Sequence, residues 1–384
     1  MTPAPAAISP VRIAELRREF PVSERYAYLN HAAIAPLPQR AVKRMAAVAR
    51  ETSRTGDQRW DERNEIVEQV RGLAARLVGA RHTHEIAFVP NTSTGLSIVA
   101  QGLEWRAGDN VVGAMCEFPS NVYPWMALGA REVEYRQVPE RDGRIDLDEL
   151  LSRVDGRTRV LALSWVQYAS GYRLDLEQLG RWCREQGVLF VVDAIQGLGA
   201  LRLAVERDFV DVVAAGAHKW LLGPEGIGLL YVSDRVVNRI RPPLLGWRSM
   251  RRKFEWTTFD LTPAEGAPRH EPGTLNAYGI AALGESLHLL LELGAEAVER
   301  RVLTLAEQVA SGLAERGFEL SSPQWEGERS GIVAACHPEI AADELAERLL
   351  RAKVVVAQRA GRLRVSPHVY NDEEDLGRLF AALP

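Results

Sequence analysis

Cysteine is scarce in this sequence, and no apolar segment is long enough to cross a membrane. The three cysteines, Cys116, Cys183 and Cys336, are far apart and show no metal-ligand spacing. We therefore expect neither a disulfide framework nor a zinc site, which fits a reducing compartment. A spanning helix needs about 18 to 20 consecutive apolar residues. The N-terminal MTPAPAAISP lacks the charged start and apolar centre of a signal peptide. We predict a cytoplasmic protein without membrane partners.

An excess of basic over acidic residues is also lacking. The net charge is −4 over 384 residues, which argues against binding nucleic acid through general basicity. The local exception is the cluster Arg248, Arg251, Arg252 and Lys253. A solvated loop explains this cluster most simply, and contact with an anionic substrate is the alternative. The cluster therefore does not change the expectation that the protein binds no nucleic acid.

Several motifs of other enzyme classes are missing. The phrase GLGALR after Asp193 has two of the three glycines of a dinucleotide fingerprint and follows the acid rather than preceding it. Neither a GxSxG elbow nor an HExxH helix occurs. His82 and His84 have no third ligand nearby, so we expect no metal. A nicotinamide dehydrogenase, a serine hydrolase and a metalloprotease are all disfavoured.

Short apolar runs mark the centre of the chain. Residues 188–192 end on Asp193, and residues 210–217 end on His218 and Lys219. A glycine-rich turn and a third run, 227–232, follow. Short runs rich in β-branched residues and bounded by turns predict buried strands. Ligands of open sheets bind outside the strand ends, so Asp193 and Lys219 are expected to face one pocket.

An acid and a lysine in one pocket suggest pyridoxal 5′-phosphate (PLP). A lysine amine forms a Schiff base with this aldehyde, and the pyridine nitrogen needs an acidic partner. Considered on its own, Asp193 is more simply interpreted as a cap of a loop, and Lys219 as an ordinary surface lysine. Gln196 just past the acid and His218 beside the lysine make the combined interpretation, a cofactor site, the better one.

The phrases DAIQGLGA and AGAHKWLLGPEGIGLLYV closely resemble the signature of class V aminotransferases, fold-type I PLP enzymes that include cysteine desulfurases. The resemblance implies that Lys219 binds the cofactor covalently and that Asp193 pairs with the pyridine nitrogen. It further implies that Gln196 contacts the phenolic oxygen and that His218 lies near the phosphate or the ring.

The resemblance also implies an α/β fold of PLP fold type I. It predicts a large PLP-binding domain, residues 26–282, with a mostly parallel seven-stranded sheet. A smaller C-terminal α/β domain, residues 283–384, is expected to follow. Residues 1–25 are expected to form an N-terminal segment that packs with the small domain.

A phosphate site is expected where the strand at 85–89 turns into a helix through PNTSTG. Free N–H groups and the helix dipole favour an anion there. Thr92 and Ser93 are the candidates, with simple N-capping as the alternative. In the resembling family this position holds the PLP phosphate. The phrase EPGTLN resembles a family segment at the dimer interface, which implies that Thr274 completes the partner's site in an obligate homodimer.

Substrate contacts follow from three further phrases. GRLRVSPHVYNDEED resembles the terminal motif in which an arginine, here Arg364, binds the substrate α-carboxylate. YLNHAA resembles a segment on the substrate side, which makes Asn30 and His31 candidates. A hydrogen-bonded loop histidine is the alternative for His31. Asn121 matches a family asparagine that either approaches the substrate or braces its loop.

The sequence departs from cysteine desulfurases at two places. Phe118 and Pro119 stand where the desulfurases carry a ring-stacking histidine. Of the two, Phe118 is the candidate that packs on the cofactor ring, but it cannot transfer protons. The loop VVVAQRAG lacks their nucleophilic cysteine. Persulfide-forming desulfurase chemistry is therefore disfavoured, although direct β-elimination needs no thiol. Either Gln167 or Tyr168 could replace a desulfurase asparagine.

These observations predict a PLP-dependent class V aminotransferase or C–S lyase that acts at Cα of an amino acid, with Lys219 removing the Cα proton. An isopenicillin N epimerase-like epimerase and a non-catalytic PLP-fold binding or regulatory protein are the alternatives. The substrate depends on loop side chains and stays open. Candidates for such side chains are Trp60, Tyr168, Trp247 and Arg248.

Overall fold

The computed structural model describes residues 8–384, so residues 1–7 of the predicted N-terminal segment lie outside the description. The helices are α1 (Pro10–Arg18), α2 (Gln39–Thr55), α3 (Trp60–Val78), α4 (Thr92–Gly102), α5 (Tyr123–Met126), α6 (Leu147–Ser152), α7 (Leu176–Gln186), α8 (Ala277–Leu293), α9 (Ala295–Ala314), α10 (Ala342–Arg351) and α11 (Glu373–Ala382). The strands are β1 (Ala27–Tyr28), β2 (Ile86–Val89), β3 (Asn110–Ala114), β4 (Glu134–Val138), β5 (Glu140–Arg141), β6 (Arg144–Ile145), β7 (Thr158–Ser164), β8 (Leu189–Asp193), β9 (Val212–Gly216), β10 (Gly228–Val232), β11 (Glu319–Leu320), β12 (Val333–Cys336), β13 (Val354–Val355), β14 (Ala357–Arg359) and β15 (Arg362–Val365).

A seven-stranded sheet forms the centre of the fold, in the order β2-β10-β9-β8-β7-β3-β4. Its neighbours pair in parallel except for β10, which is antiparallel to both β2 and β9. The strands β8, β9 and β10 are buried at every position. Strands covered on both faces read as continuous apolar runs, as the sequence does here. The mostly parallel seven-stranded sheet is therefore confirmed.

Two hydrophobic cores lie on the two faces of this sheet. Along β8, Phe190 and Val192 belong to one core, whereas Leu189 and Val191 belong to the other. Successive strand residues point to opposite faces, so an uninterrupted apolar run supplies both cores. This arrangement fixes β8 in the sheet and places Asp193, its last residue, at the carboxyl edge.

A second, four-stranded antiparallel sheet near the C-terminus has the order β11-β12-β15-β14. The N-terminal strand β1 pairs in parallel with β13. From α1, Arg17 bonds to Asp375 at 2.6 Å and to Asp372 at 3.0 Å. The described N-terminal residues thus contact the C-terminal part of the chain. The domain border predicted at residue 282 falls within α8, and the division itself stays a prediction.

Helix boundaries differ from the sequence prediction at two places. The sequence pattern predicts helices at residues 40–51 and 66–78 with a polar segment between them. That segment is itself mostly helical, because α2 continues to Thr55 and α3 already begins at Trp60. Its glutamates and arginines are good helix formers. The hydroxyls of Thr52 and Thr55 donate to carbonyls four residues earlier. Likewise, α4 begins at Thr92, four residues before Leu96, where the sequence pattern predicts the start of this helix.

Across residues 8–384, no helix combines the length and apolarity that crossing a bilayer would require. The same residues contain no group of three or more histidine, cysteine, aspartate or glutamate side chains arranged to hold a metal ion.

Candidate active site

A cavity of about 310 Å³ opens at the carboxyl edge of the central sheet. The turns that follow β2, β3, β7, β8 and β9 line it, together with the segment after β1 and one arginine each from β14 and β15. Parallel strands bring these turns to one edge, which is where open α/β sheets bind ligands. The predicted site residues among its lining are Thr92, Ser93, Phe118, Asp193, Gln196, His218, Lys219 and Arg364.

Lys219 lies three residues beyond β9, and its ammonium group is 5.7 Å from the centre of the Phe118 ring. Burial lowers the pKa of Lys219 to about 8, and the nearby guanidinium groups of Arg364 and Arg359 act in the same direction. Asp193 opposes this shift. A buried lysine with a lowered pKa is a competent nucleophile for an aldehyde.

Asp193 is a buried carboxylate with few hydrogen-bond donors around it. Among the described residues it accepts one hydrogen bond, from the Ile195 N–H at 3.0 Å. Burial raises the pKa of Asp193, and the charge of Glu117 adds to the effect. A buried carboxylate is costly without a hydrogen-bonded cation. The site therefore suits a protonated pyridine nitrogen, as the implied PLP cofactor would provide.

Gln196 connects the cofactor region to two other segments. Its amide nitrogen donates to the Ala32 carbonyl, and its amide oxygen accepts from Trp220 Nε1, both at 3.0 Å. Trp220 directly follows Lys219. The bonds fix the orientation of the amide and leave one N–H of Gln196 to donate to a ligand in the cavity.

The N-terminus of α4 borders the same cavity. Its N-cap is Asn91, which accepts from the Thr94 N–H, so neither Thr92 nor Ser93 is needed as a cap. Thr92 Oγ1 accepts from the Gly216 N–H at 2.9 Å, and Ser93 bonds to Ser120 at 2.7 Å. Hydroxyls beside free helix N–H groups fit a phosphate.

Arg364 is the most distinctive polar group of the cavity. Its side chain is 1% exposed, and Nη1 donates to the Tyr168 carbonyl at 2.8 Å. Nε and Nη2 are buried without a hydrogen-bond partner. Burial lowers the pKa of Arg364 to about 9. A buried guanidinium with two unpaired nitrogens is suited to a two-point contact with a carboxylate.

Two aromatic rings lie beside Lys219. Phe118 and Tyr168 both line the cavity, and their ring centres are 5.3 Å apart in an edge-to-face contact. Gln167 instead lies beneath the surface, where its amide donates to Glu117 at 2.9 Å. Of the two residues that the sequence left open, Tyr168 is the one that reaches the cavity.

Asn30 and His31 are placed outside the cavity lining. His31 is fully buried: Nδ1 donates to the Ser366 carbonyl, and Nε2 accepts from the Tyr370 hydroxyl, each at 3.0 Å. Both ring nitrogens thus have protein partners, so His31 is the hydrogen-bonded histidine of the alternative interpretation and not a substrate contact. The side-chain oxygen of Asn30 is buried without a partner. These residues support the segment whose next members, Ala32 and Ala33, line the cavity.

Asn121 and Thr274 also lie away from the cavity of their own chain. Asn121 donates to Glu117 at 3.0 Å and accepts from Trp125 Nε1 at 2.9 Å. It is completely buried, in an arrangement that braces the loop after β3. Thr274 is exposed on the segment before α8. Its predicted contact was with a second subunit, so its distance from this cavity does not test the prediction.

Sequence reasoning missed three residues of the site. Arg359 and Ser120 line the cavity, and Glu117 is buried directly beside Phe118. Arg359 is the last residue of β14, in the segment VVVAQRAG that the sequence predicts to be a loop without cysteine. Of the proposed specificity side chains, Tyr168 lines the cavity, whereas the buried Arg248 bonds to Asn64.

Comparison with known proteins gives a consistent result. The family model "Aminotransferase class-V" matches residues 27–379. A probable cysteine desulfurase of Pyrococcus abyssi is 28% identical, with 97% of each chain covered. A cysteine desulfurase of Cronobacter sakazakii is 30% identical, again with 97% of each chain covered.

Among solved structures, the complex of the cystine C–S lyase C-DES with its product cysteine persulfide has a TM-score of 0.88 and 25% identity. It covers 94% of this chain and 98% of C-DES. A C-DES mutant with glycine covalently linked to the PLP cofactor gives a TM-score of 0.89, also at 25% identity, over 95% and 98% of the two chains.

Proposed function

The chain belongs to the aminotransferase class-V family and is a PLP-dependent enzyme; from this premise we propose that it is a C–S lyase. Its substrate would be an amino acid that carries sulfur on Cβ. Water and the substrate give pyruvate, ammonia and the released thiol or persulfide, as the Cβ–S bond breaks and the sulfur takes a proton.

The buried guanidinium of Arg364 supports an amino acid as the substrate. The similarity to C-DES, together with a cavity lining that has no cysteine among the described residues, supports the lyase reaction. Nε and Nη2 of Arg364 are without partners inside the cavity region, and Lys219 is close enough for the two charges to influence each other. A substrate α-carboxylate bound by Arg364 would bring Cα towards the Lys219 amine. Such two-point binding fixes the orientation of the substrate as well as its position.

The residues present fit the cofactor. Asp193 would hold the protonated ring nitrogen, and Gln196 the phenolic oxygen. Thr92, Ser93 and His218 would surround the phosphate, and Phe118 would pack on the ring. When bound, PLP provides the electron sink that lets a bond at Cα break. Lys219 would take the proton from Cα, because its lowered pKa leaves a useful fraction of neutral amine near neutral pH.

Release of sulfur would proceed without an enzyme thiol. No cysteine is found among the described residues that line the cavity. Cys336 belongs to β12 of the small antiparallel sheet, and Cys183 is buried in α7. The similarity to the cystine C–S lyase C-DES favours direct β-elimination.

A cysteine desulfurase is the second candidate, since relatives at 28 to 31% identity carry that name. That activity would convert cysteine to alanine and transfer sulfur to a thiol. Cys116, which precedes Glu117 and is partly exposed, is the cysteine nearest in sequence to a cavity residue. Burial raises the pKa of its thiol, which disfavours the nucleophilic thiolate.

A homodimer with shared active sites completes the proposal. The segment that leads to Thr274 carries large exposed apolar side chains: Phe259 is 93% exposed, Leu261 81% and Trp256 64%. Exposed apolar groups of this size are typical of interfaces. Thr274 of each subunit would then contribute to the phosphate site of its partner.

The test is a product analysis of the PLP-loaded protein with cystine, cysteine and alanine as separate substrates. A C–S lyase yields pyruvate and ammonia in equal amounts from cystine. Alanine from cysteine would establish a desulfurase instead. A keto acid formed together with pyridoxamine phosphate would establish an aminotransferase, and solvent deuterium at Cα without these products an epimerase. Each of the last three results would reject the lyase.

A further inference from the structure

Glu117 is a buried charged group for which the reaction as described has no use. It lies in the turn between β3 and the short 3₁₀-helix of Pro119–Asn121, and it is 5% exposed. Four donors surround its carboxylate. Oε1 accepts from the Ser164 N–H at 2.7 Å and from Gln167 Nε2 at 2.9 Å. Oε2 accepts from Asn121 Nδ2 at 3.0 Å and is also bonded to the Ser164 hydroxyl.

The direction of these bonds is fixed by their neighbours. Trp125 Nε1 can only donate, and it donates to the Asn121 oxygen at 2.9 Å. Asn121 must therefore present its N–H group to Glu117. The backbone N–H of Ser164 can likewise only donate. Each oxygen of the Glu117 carboxylate therefore faces a group that can only donate. A glutamine at this position would have one acceptor oxygen and one donor nitrogen, so it could satisfy only one of these two contacts.

Glu117 connects the two loops that carry the aromatic rings of the cavity. Phe118 is its neighbour in one loop, and its partner Gln167 precedes Tyr168 in the other. The two rings are in contact at 5.3 Å. The carbonyl of Tyr168 also accepts from Arg364. One carboxylate therefore positions both rings and the loop against which Arg364 is oriented.

Glu117 also influences Asp193 electrostatically. Ser164, its donor, is the last residue of β7 and pairs with Asp193, the last residue of β8. The negative charge of Glu117 contributes to the raised pKa of Asp193. Burial raises the pKa of Glu117 itself, and its hydrogen-bond donors oppose that shift. Its charge also acts on the Cys116 thiol and the Tyr135 hydroxyl. On the other side of the pair, the charge of Lys219 acts on Asp193, and the guanidinium groups of Arg364 and Arg359 act on Lys219.

We propose that Glu117 is a positioning residue of the active site, which holds the Phe118 and Tyr168 loops together and whose charge favours the protonated form of the cofactor. This inference rests on the proposed roles of Asp193 and Lys219, but not on which reaction the enzyme performs. The charge effect needs no direct contact, because a protonated pyridine nitrogen at Asp193 would also be stabilised by the nearby buried charge of Glu117.

The test is a pH titration of the absorption band of the PLP-loaded protein, in wild type and in Glu117→Gln. Glutamine keeps the size and removes the charge. Loss of a negative charge disfavours every protonated form of the bound cofactor, that of the pyridine nitrogen and that of the linkage to Lys219 alike. The midpoint of the absorption band, which reports the linkage, should therefore fall by about one pH unit. We also expect a weaker circular dichroism signal of the bound cofactor, because the Asn121 contact is lost and the loops loosen.

Asn121→Ala is the matched control. It breaks the same network without changing charge, so it should weaken the dichroism and leave the midpoint at the wild-type value. A Glu117→Gln midpoint equal to that of wild type would overturn the electrostatic part of the proposal. If Glu117→Gln does not fold, Glu117→Asp serves instead: it keeps the charge with a shorter reach, and it should retain the midpoint while raising KM. Unchanged dichroism and unchanged KM in Glu117→Asp would overturn the positioning role.

The outcome is separable from that of the product analysis. The absorption band and its midpoint are measured without substrate. A desulfurase or an aminotransferase result would reject the lyase and leave the role of Glu117 standing. Absence of the band in wild type, by contrast, would reject the proposed Lys219 site together with this inference.

Discussion

The guanidinium of Arg364 and the backbone carbonyl of Tyr168 are joined by a hydrogen bond of 2.8 Å, although 196 residues separate them in the chain. The bond uses Nη1 and leaves Nε and Nη2 unpaired in a buried position. It connects β15 of the small sheet with the turn after β7 of the large one. Substrate binding at Arg364 would therefore depend on the position of β15 relative to the turn after β7.

Replacement of Arg364 by lysine should raise KM strongly and leave cofactor binding intact. An ammonium group cannot make the planar two-point contact that a guanidinium makes with a carboxylate. We expect kcat/KM for the substrate to fall about 100-fold, which corresponds to about 3 kcal/mol. Steady-state kinetics and the absorption spectrum of the cofactor give the two readouts.

Arg362→Gln is the control for Arg364. Arg362 lies on the same strand and pairs with Glu140 at 3.0 Å, away from the cavity. Its replacement should change kcat/KM by less than about twofold, because neither partner of this partly buried ion pair lines the cavity. A similar loss in both variants would show that Arg364 acts through the strand and not through the substrate.

The amine of Lys219 should react with PLP at a lower pH than ordinary lysines do. Burial lowers its pKa to about 8, so about 10% of the amine is neutral at pH 7, against less than about 0.1% for a lysine at its usual value of about 10.4. The rate at which apoprotein gains the absorption band should reach half its maximum near pH 8. Lys219→Arg should gain no band, and a wild-type midpoint above pH 9.5 would contradict the assignment.

A protein without cysteine should retain the proposed lyase activity. The triple variant Cys116→Ser, Cys183→Ala and Cys336→Ser removes every thiol of the chain. Cys183 is buried, and its truncation should cost about 1 kcal/mol of stability. We expect pyruvate formation from cystine to stay within about threefold of wild type. Complete loss of activity in a folded triple variant would instead support the persulfide mechanism of the desulfurases.

Much of the fold could be predicted because the strands β8 and β9 are apolar on both faces and end abruptly. The residues Asp193 and Lys219 follow those ends, so sequence order alone indicated a shared edge. Arg364 was found through its motif only, since a lone arginine in a strand is commonly a surface residue. Its unpaired nitrogens depend on burial that no local pattern encodes.

Other parts of the site depend on contacts between distant segments. His31 is fixed by Tyr370, which is 339 residues away in the sequence. Glu117 lies just beyond β3, much as Asp193 lies at the end of β8, but its four donors come from two segments far apart in the sequence, one at Asn121 and one at Ser164 and Gln167. The start of α3 at Trp60 was missed because its first turns are polar and lack the apolar spacing that marks a buried helix face.

Acid should destabilise the protein through two buried histidines. His368 Nε2 donates to the Trp220 carbonyl, and Nδ1 accepts from the Val369 N–H, so the ring is neutral. Burial lowers the pKa of His368 to about 4, and it lowers the pKa of His31 well below its usual value. A depressed pKa gives stability that is complete above the unfolded value of about 6.5 and is lost as the pH falls towards 4.

For His368 alone, the free energy of unfolding should decrease by about 3 kcal/mol between pH 6.5 and pH 4. Denaturant titrations of the PLP-loaded protein at several pH values measure this slope. His368→Gln should be less stable than wild type at pH 7 but should show a shallower slope below pH 6.5. An equally steep slope in His368→Gln would exclude this histidine as the source.

Mixing two inactive variants should restore activity if the sites are shared between subunits. Lys219→Ala lacks the nucleophile, and Thr274→Arg would place a bulky cation in the partner's phosphate site. In a mixed dimer, one site receives both defects and the other receives neither. Random exchange of subunits makes half of the dimers mixed, with one intact site each, so about a quarter of the wild-type activity should return. Two Lys219→Ala subunits provide the blank. Failure to recover activity, although size-exclusion chromatography shows that mixed dimers form, would mean that Thr274 serves the site of its own chain. A Thr274→Arg variant that is active by itself would mean that Thr274 serves neither site.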